Sequence, residues 1–164
     1  MTARTMLAKA ASQIGTVEHA NGWTPYGQWY ADRHHAPEFA VANWCDMGLS
    51  WCAWQTGDGE VFGEFAFTPW HGQWFADNGQ WHTSDPRPGD AVFFSWSGGD
   101  TIDDIEHIGI VEKVLSSSTI QTIEFNTGDA VRRRERWRGY VVGYGRPAYA
   151  TVADDTAMVV SLGA

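Results

Sequence analysis

Positive charge is scarce in this chain, with 11 Lys and Arg against 20 Asp and Glu and a formal net charge of −9 with neutral histidine. Phosphate binding demands a basic surface, so a nucleic-acid partner is excluded. The same balance gives no electrostatic help towards an anionic membrane or an anionic cell wall. No run of about 18 apolar residues occurs, so no membrane-inserting helix is expected. The opening MTARTMLAKAASQIG lacks a continuous apolar stretch and reads as having no secretory signal. No CxxC pair and no HExxH motif is present, and residues 21–44 hold only Asp32 and Glu38 as acids, too few for an Asp-rich calcium loop. No metal and no cofactor is expected.

Cysteine is limited to Cys45 and Cys52. On one helix their separation rises about 10.5 Å, whereas a disulfide needs Cα atoms within about 7 Å. They are therefore not a bridge. What the chain has in excess is Trp, with 10, and Gly, with 18, in 164 residues. That length suits one domain around one core.

Residues 3–14 read as a helix, with Met6, Leu7, Ala10, Ala11 and Ile14 at three- and four-residue spacing and Gly15 as the stop. Thr24-Pro25 is a cap followed by proline, opening a short helix to about Arg33. Residues 34–43 read as loop, and a helix from Asn43, a candidate cap, ends at Gly57. Thr68-Pro69 repeats the cap-proline device for a helix ending at Asn78-Gly79. After Pro86-Arg87-Pro88-Gly89 the texture changes to strands at 91–96, 106–114, 119–125, the charged segment 131–137, and 140–145. Helices followed by closely connected strands predict an α+β fold with an antiparallel sheet.

A thiol at a helix N-terminus gains stability as thiolate from the helix dipole and the free amides. Cys45 stands at such a start, while Cys52, two turns deeper, is expected to be buried. The usual fate of free cysteine is nevertheless that of a small core hydrophobe. Of six histidines, His107 alone begins a strongly apolar strand, His-Ile-Gly-Ile-Val. Gly109, two residues on and on the same face, leaves space beside the imidazole. On the next strand Glu124 and Asn126 share a face and either can reach that ring.

The segments NWCDMGLSWCAWQTG, RPGDAVFFSW, EHIGIVEKV and TIEFNTG, in this order, resemble the CHAP family of cysteine, histidine-dependent amidohydrolases/peptidases. AASQIGTVE and PYGQWYAD resemble the N-terminal part of that domain as it appears in phage endolysins. The likeness covers residues 5–148 and implies a papain-like (NlpC/P60-type) α+β fold, with N-terminal helices packed on an antiparallel β-sheet. It implies a catalytic domain over 1–149 and a tail or linker stub over 150–164. Matched position by position, Cys45 falls on the nucleophile, His107 on the general base, Glu124 on the residue orienting it, and Asn126 on a fourth polar position. Two positions depart from the pattern: Gly48 stands where the family often has an aromatic, and Phe125 where it often has glycine.

The resemblance makes peptidoglycan of a Gram-positive bacterium the substrate. The bond is either the N-acetylmuramoyl-L-alanine amide or a peptide bond of the stem or cross-bridge, since both need the same chemistry. The Cys45 amide and a second donor, Tyr26 or Gln28, are expected to hold the oxyanion. Trp44, Trp70, Trp74 and Trp96 are the groove candidates, although tryptophan at helical or strand spacing is usually core. The expected setting is a monomer made in the cytoplasm of a phage-infected host, reaching the wall after holin-type release. The competing reading is a non-catalytic Trp-rich wall-binding or phage tail structural module.

Overall fold

The computed structural model describes residues 2–151. The first helix, α1 (Ala3–Ser12), is capped by the Thr2 side chain and gives way to Gly15 at φ 99°. α2 (Pro25–His34) starts as expected, with the Thr24 hydroxyl accepting from the Gly27 amide at 3.0 Å. α3 (Cys45–Thr56) ends at Gly57 in the left-handed region. α4 (Gly59–Phe62) and α5 (Thr68–Asp77) complete the helices.

Six strands follow: β1 (Trp81–His82), β2 (Ala91–Phe94), β3 (His107–Val114), β4 (Thr119–Glu124), β5 (Arg132–Trp137) and β6 (Val141–Gly145). They form one sheet of order β1-β6-β2-β3-β4-β5 in which every neighbouring pair is antiparallel. This is the α+β arrangement with an antiparallel sheet that the order of segments predicts and the resemblance implies.

Period-two alternation divides the sheet residues between two cores. Ala91, Phe93, Ile108, Ile110 and Ile123 join Met6, Met47, Leu49 and Phe62 in the main core beneath the helices. Val92, Phe94, Val111, Ile120 and Tyr144 form a second, smaller cluster. α3 lies against β3, which sets the start of that helix beside the start of that strand.

Several local expectations need correction. Trp44, not Asn43, occupies the cap position of α3, and Phe67 precedes α5 with Thr68 already inside the helix; neither end has a side-chain cap. Cap preference is a bias, and here buried packing of the first turn decides the boundary. Residues 37–41 form a 3₁₀ turn inside the segment read as loop. The strand expected to reach Trp96 stops at Phe94, where the chain turns and the Ser95 amide donates to the Tyr140 carbonyl. α4 and β1 escaped the pattern reading because each is too short to show a period. The expected tail lies, beyond Thr151, outside the described residues.

The Gly48–Phe125 departure has a packing explanation. A Cβ on Gly48 would collide with the Phe125 ring, which also stands edge-on to Tyr26 and Trp44. The aromatic volume that the helix lacks at position 48 is supplied by the chain leaving β4.

Candidate active site

Cys45 is the first residue of α3, so its own amide and that of Asp46 have no partner within the helix. Both face the sulfur, as does the amide of Ile108 on β3. The thiol is only 8% exposed. Burial and the neighbouring Asp46 raise its pKa to about 12, against the lowering effect of those amides. Burial thus favours the neutral thiol over the thiolate. Cys52 is fully buried and free, its pKa also raised by burial.

His107 sits at the first position of β3, next to the Ile108 amide that meets the sulfur. Its Nε2 donates to Glu124 Oε1 at 2.8 Å. Burial pushes the Glu124 carboxyl up, but hydrogen bonds from Arg136, His107 and Thr122 outweigh it and hold the pKa at about 2. Those bonds are short: Arg136 Nε and Nη2 each reach a carboxylate oxygen at 2.8 Å, and Thr122 Oγ1 donates at 2.6 Å. An ionised Glu124 fixes the imidazole proton on Nε2 and leaves the Nδ1 lone pair to accept a proton. Gly109 makes the approach possible, since a Cβ there would lie 2.8 Å from Glu124 Cγ.

Asn126, two residues beyond the end of β4, adopts φ 55°. With Trp96, His107, Thr127, Gly128 and Arg136 it lines a cavity of about 240 Å³. Trp96 is 39% exposed, lies under the Arg136 guanidinium at 4.8 Å, and continues into Tyr140 and then Trp137, both exposed. This row of rings is open to solvent beside the cavity.

The family profile for the CHAP domain matches residues 34–126, more than half of the chain, with Cys45, His107, Glu124 and Asn126 all inside the match. The chain belongs to the CHAP domain family. No curated protein matches. Among solved structures, a lipoprotein-like protein of the NLP/P60 family from Staphylococcus aureus subsp. aureus Mu50 is similar at 12% identity and a TM-score of 0.50. The likeness covers 90% of this chain and 42% of that one, and at this identity it concerns the fold.

Within this CHAP domain the other sequence candidates lie elsewhere. Tyr26 is buried, and its hydroxyl donates to Gln13 Oε1 at 2.9 Å. Gln28 bonds Asp32 and Trp23 through its side chain and lines a separate hollow of about 500 Å³ along α2. Neither lines the cavity at His107. Trp44 has no exposed surface; its indole donates to Glu18 Oε1 at 2.8 Å and its ring stacks on Tyr26. Trp70 and Trp74 belong to α5, which packs on β6 and β1 at the sheet edge opposite β5. Of the four groove candidates, only Trp96 reaches the cavity. Among the described residues, no three His, Cys, Asp or Glu side chains converge as metal ligands do.

Two features were missed. Arg136 was hidden in the charged run VRRRERW, although period two places it on the face of β5 that carries Arg132 and Arg134. His71 lies on a helix, where a solvated imidazole is the default, yet it is fully buried. Its Nδ1 lies 2.8 Å from Asp46 Oδ1, and its Nε2 donates to the Phe62 carbonyl at 2.7 Å. This pair ties the first turn of α3 to α5 and to the end of α4. Replacing His71 with alanine is expected to cost about 3–5 kcal/mol, because a buried acid loses its partner. Urea unfolding of the two proteins measures the difference.

Proposed function

We propose that the chain is a peptidoglycan hydrolase that opens an amide bond of the bacterial wall through Cys45. The observation that carries this reading is a helix-terminal thiol that meets the Ile108 amide, one residue from a histidine whose Nε2 is bonded to the buried Glu124 carboxylate.

His107 Nδ1 takes the Cys45 proton as the sulfur attacks the amide carbonyl carbon, and the carbonyl electron pair moves to oxygen. The helix-terminal amides of Cys45 and Asp46 are preorganised donors for that oxyanion. Collapse of the adduct breaks the C–N bond, and the His107 imidazolium delivers its Nδ1 proton to the leaving amine. Water, deprotonated by His107, then hydrolyses the thioester and restores the thiol. Glu124 stays ionised throughout and compensates the transient imidazolium. Arg136 is a positioning residue: it holds the carboxylate, and Trp96 holds its guanidinium.

The muramoyl–L-alanine amide and the peptide bonds of stem and bridge all fit this chemistry. Digestion of purified peptidoglycan followed by mass spectrometry of the fragments identifies the bond. New amino groups at one linkage are expected. Binding to walls with no new amino groups after prolonged digestion would overturn the enzymatic reading in favour of a wall-binding module.

A further inference from the structure

The chain is strongly acidic, yet three of its arginines gather at one wall of the cavity beside His107. Arg132, Arg134 and Arg136 share a face of the edge strand β5 with Thr122 and Glu124 of β4 opposite them. All three lean over the loop at 126–129. Arg134 Nε donates to Thr127 Oγ1 at 2.9 Å and Arg136 Nη2 to the same oxygen at 3.5 Å, while Arg132 Nη2 meets the Gly128 carbonyl at 3.4 Å. Thr127 and Gly128 are themselves cavity walls. Arg136 is neutralised by Glu124. No ion pair among the described residues joins Arg132 or Arg134 to an acid, including Asp129 on the same loop. Arg133, on the opposite face, is paired with Glu112.

Two uncompensated guanidiniums beside a third repel one another, a cost that an anion placed among them removes. Each spends one N–H on the loop, and the remaining forked donors match the planar geometry of a carboxylate. An extended peptide advances about 3.3 Å per residue, so a group bound here sits only a few residues from a carbonyl held at His107.

We propose that Arg132 and Arg134 form a subsite for a carboxylate on the peptide portion of the substrate, a proposal that rests on the hydrolase reading above. The wall peptide enters along the 126–129 loop with its acidic side group against β5 and its scissile carbonyl towards Cys45.

The test uses the Cys45→Ala protein, which binds without turnover. A wall tetrapeptide is titrated by calorimetry in two forms, with its carboxylates free and with them converted to amides. Amidation is expected to weaken binding about tenfold, as loss of charge-assisted hydrogen bonds implies. Adding Arg132→Gln and Arg134→Gln should abolish the difference between the peptides. Arg133→Gln, the same change of charge on the other face, should preserve it. Equal affinity for the two peptides, or a preference that survives loss of both arginines, overturns the subsite. The first comparison leaves β5 unaltered, so it decides even where the double variant folds poorly. Hydrolysis by the unmodified protein is scored separately: cleavage without the carboxylate preference removes the subsite alone. The preference without any cleavage of walls removes the hydrolase reading and leaves the subsite.

Discussion

Hydrolysis of peptidoglycan is expected to fall by about 10⁵–10⁶-fold when Cys45 is replaced with alanine, the scale on which loss of a nucleophile acts. Fold should survive, because the exchange removes one sulfur from a site at the edge of the core and costs about 1 kcal/mol. Release of amino groups from purified walls checks the first statement, and circular dichroism with thermal unfolding checks the second. Unchanged release would leave Cys45 a core residue like Cys52. Burial favours the protonated sulfur, so the proposed catalysis needs a base to take its proton. His107→Gln is accordingly expected to lose about 10³-fold in rate, in the range of general-base effects. Alkylation of Cys45 by iodoacetamide should keep rising as pH climbs towards about 12, because burial and Asp46 hold the proton on the sulfur. Full labelling at pH 6 would instead mean a resting thiolate–imidazolium pair.

Glu124→Gln should damage both stability and rate. The carboxylate is fully buried and collects donors from three side chains, and glutamine cannot satisfy all of them with one oxygen. It also strands the Arg136 charge, for which a loss of about 3–5 kcal/mol is expected. The sign with pH follows from a pKa lowered to about 2 in the folded protein. An unfolded glutamate titrates near about 4.3, so the stabilisation is complete above that value and disappears as pH falls towards the folded value. The linked contribution is on the order of 3 kcal/mol. Urea unfolding at pH 7 should separate wild type from variant clearly, and the gap should narrow as the pH approaches 2. A gap independent of pH would mean that Glu124 is not the ionised partner. Rate should fall about 10²–10³-fold, since the imidazole is no longer held in the tautomer that accepts the thiol proton.

Much of this site was legible in sequence because it is built from local signals. A thiol at the start of a helix, a histidine opening an apolar strand, and Glu124 two positions before Asn126 on the next strand are all short-range patterns. The α+β order and the Thr24-Pro25 start rest on the same kind of information. What failed depended on where distant segments meet. Trp44 looks like a groove residue by adjacency to Cys45, but Glu18, far along the chain, captures its indole. Tyr26 precedes the nucleophile in sequence, yet the packing of α1 turns its hydroxyl to Gln13. His71 and Arg136 escape sequence reading for a complementary reason: a polar residue on a helix or edge strand is usually solvated, and only tertiary contacts with Asp46 and Glu124 overrule that.

Gly48 and Phe125 occupy a single volume between α3 and the end of β4. Neither can change alone at low cost. A large residue at 48 meets the ring already there, whereas removing the ring beside Gly48 opens a void next to Tyr26 and Trp44, at about 3–5 kcal/mol for loss of a buried Phe. A lineage passing between the two arrangements must therefore cross an overfilled or a hollow ancestor, or make both changes together. The exchanged pair thus works as a heritable mark. Chains that carry it should group by descent even where the residues around the thiol have drifted beyond recognition.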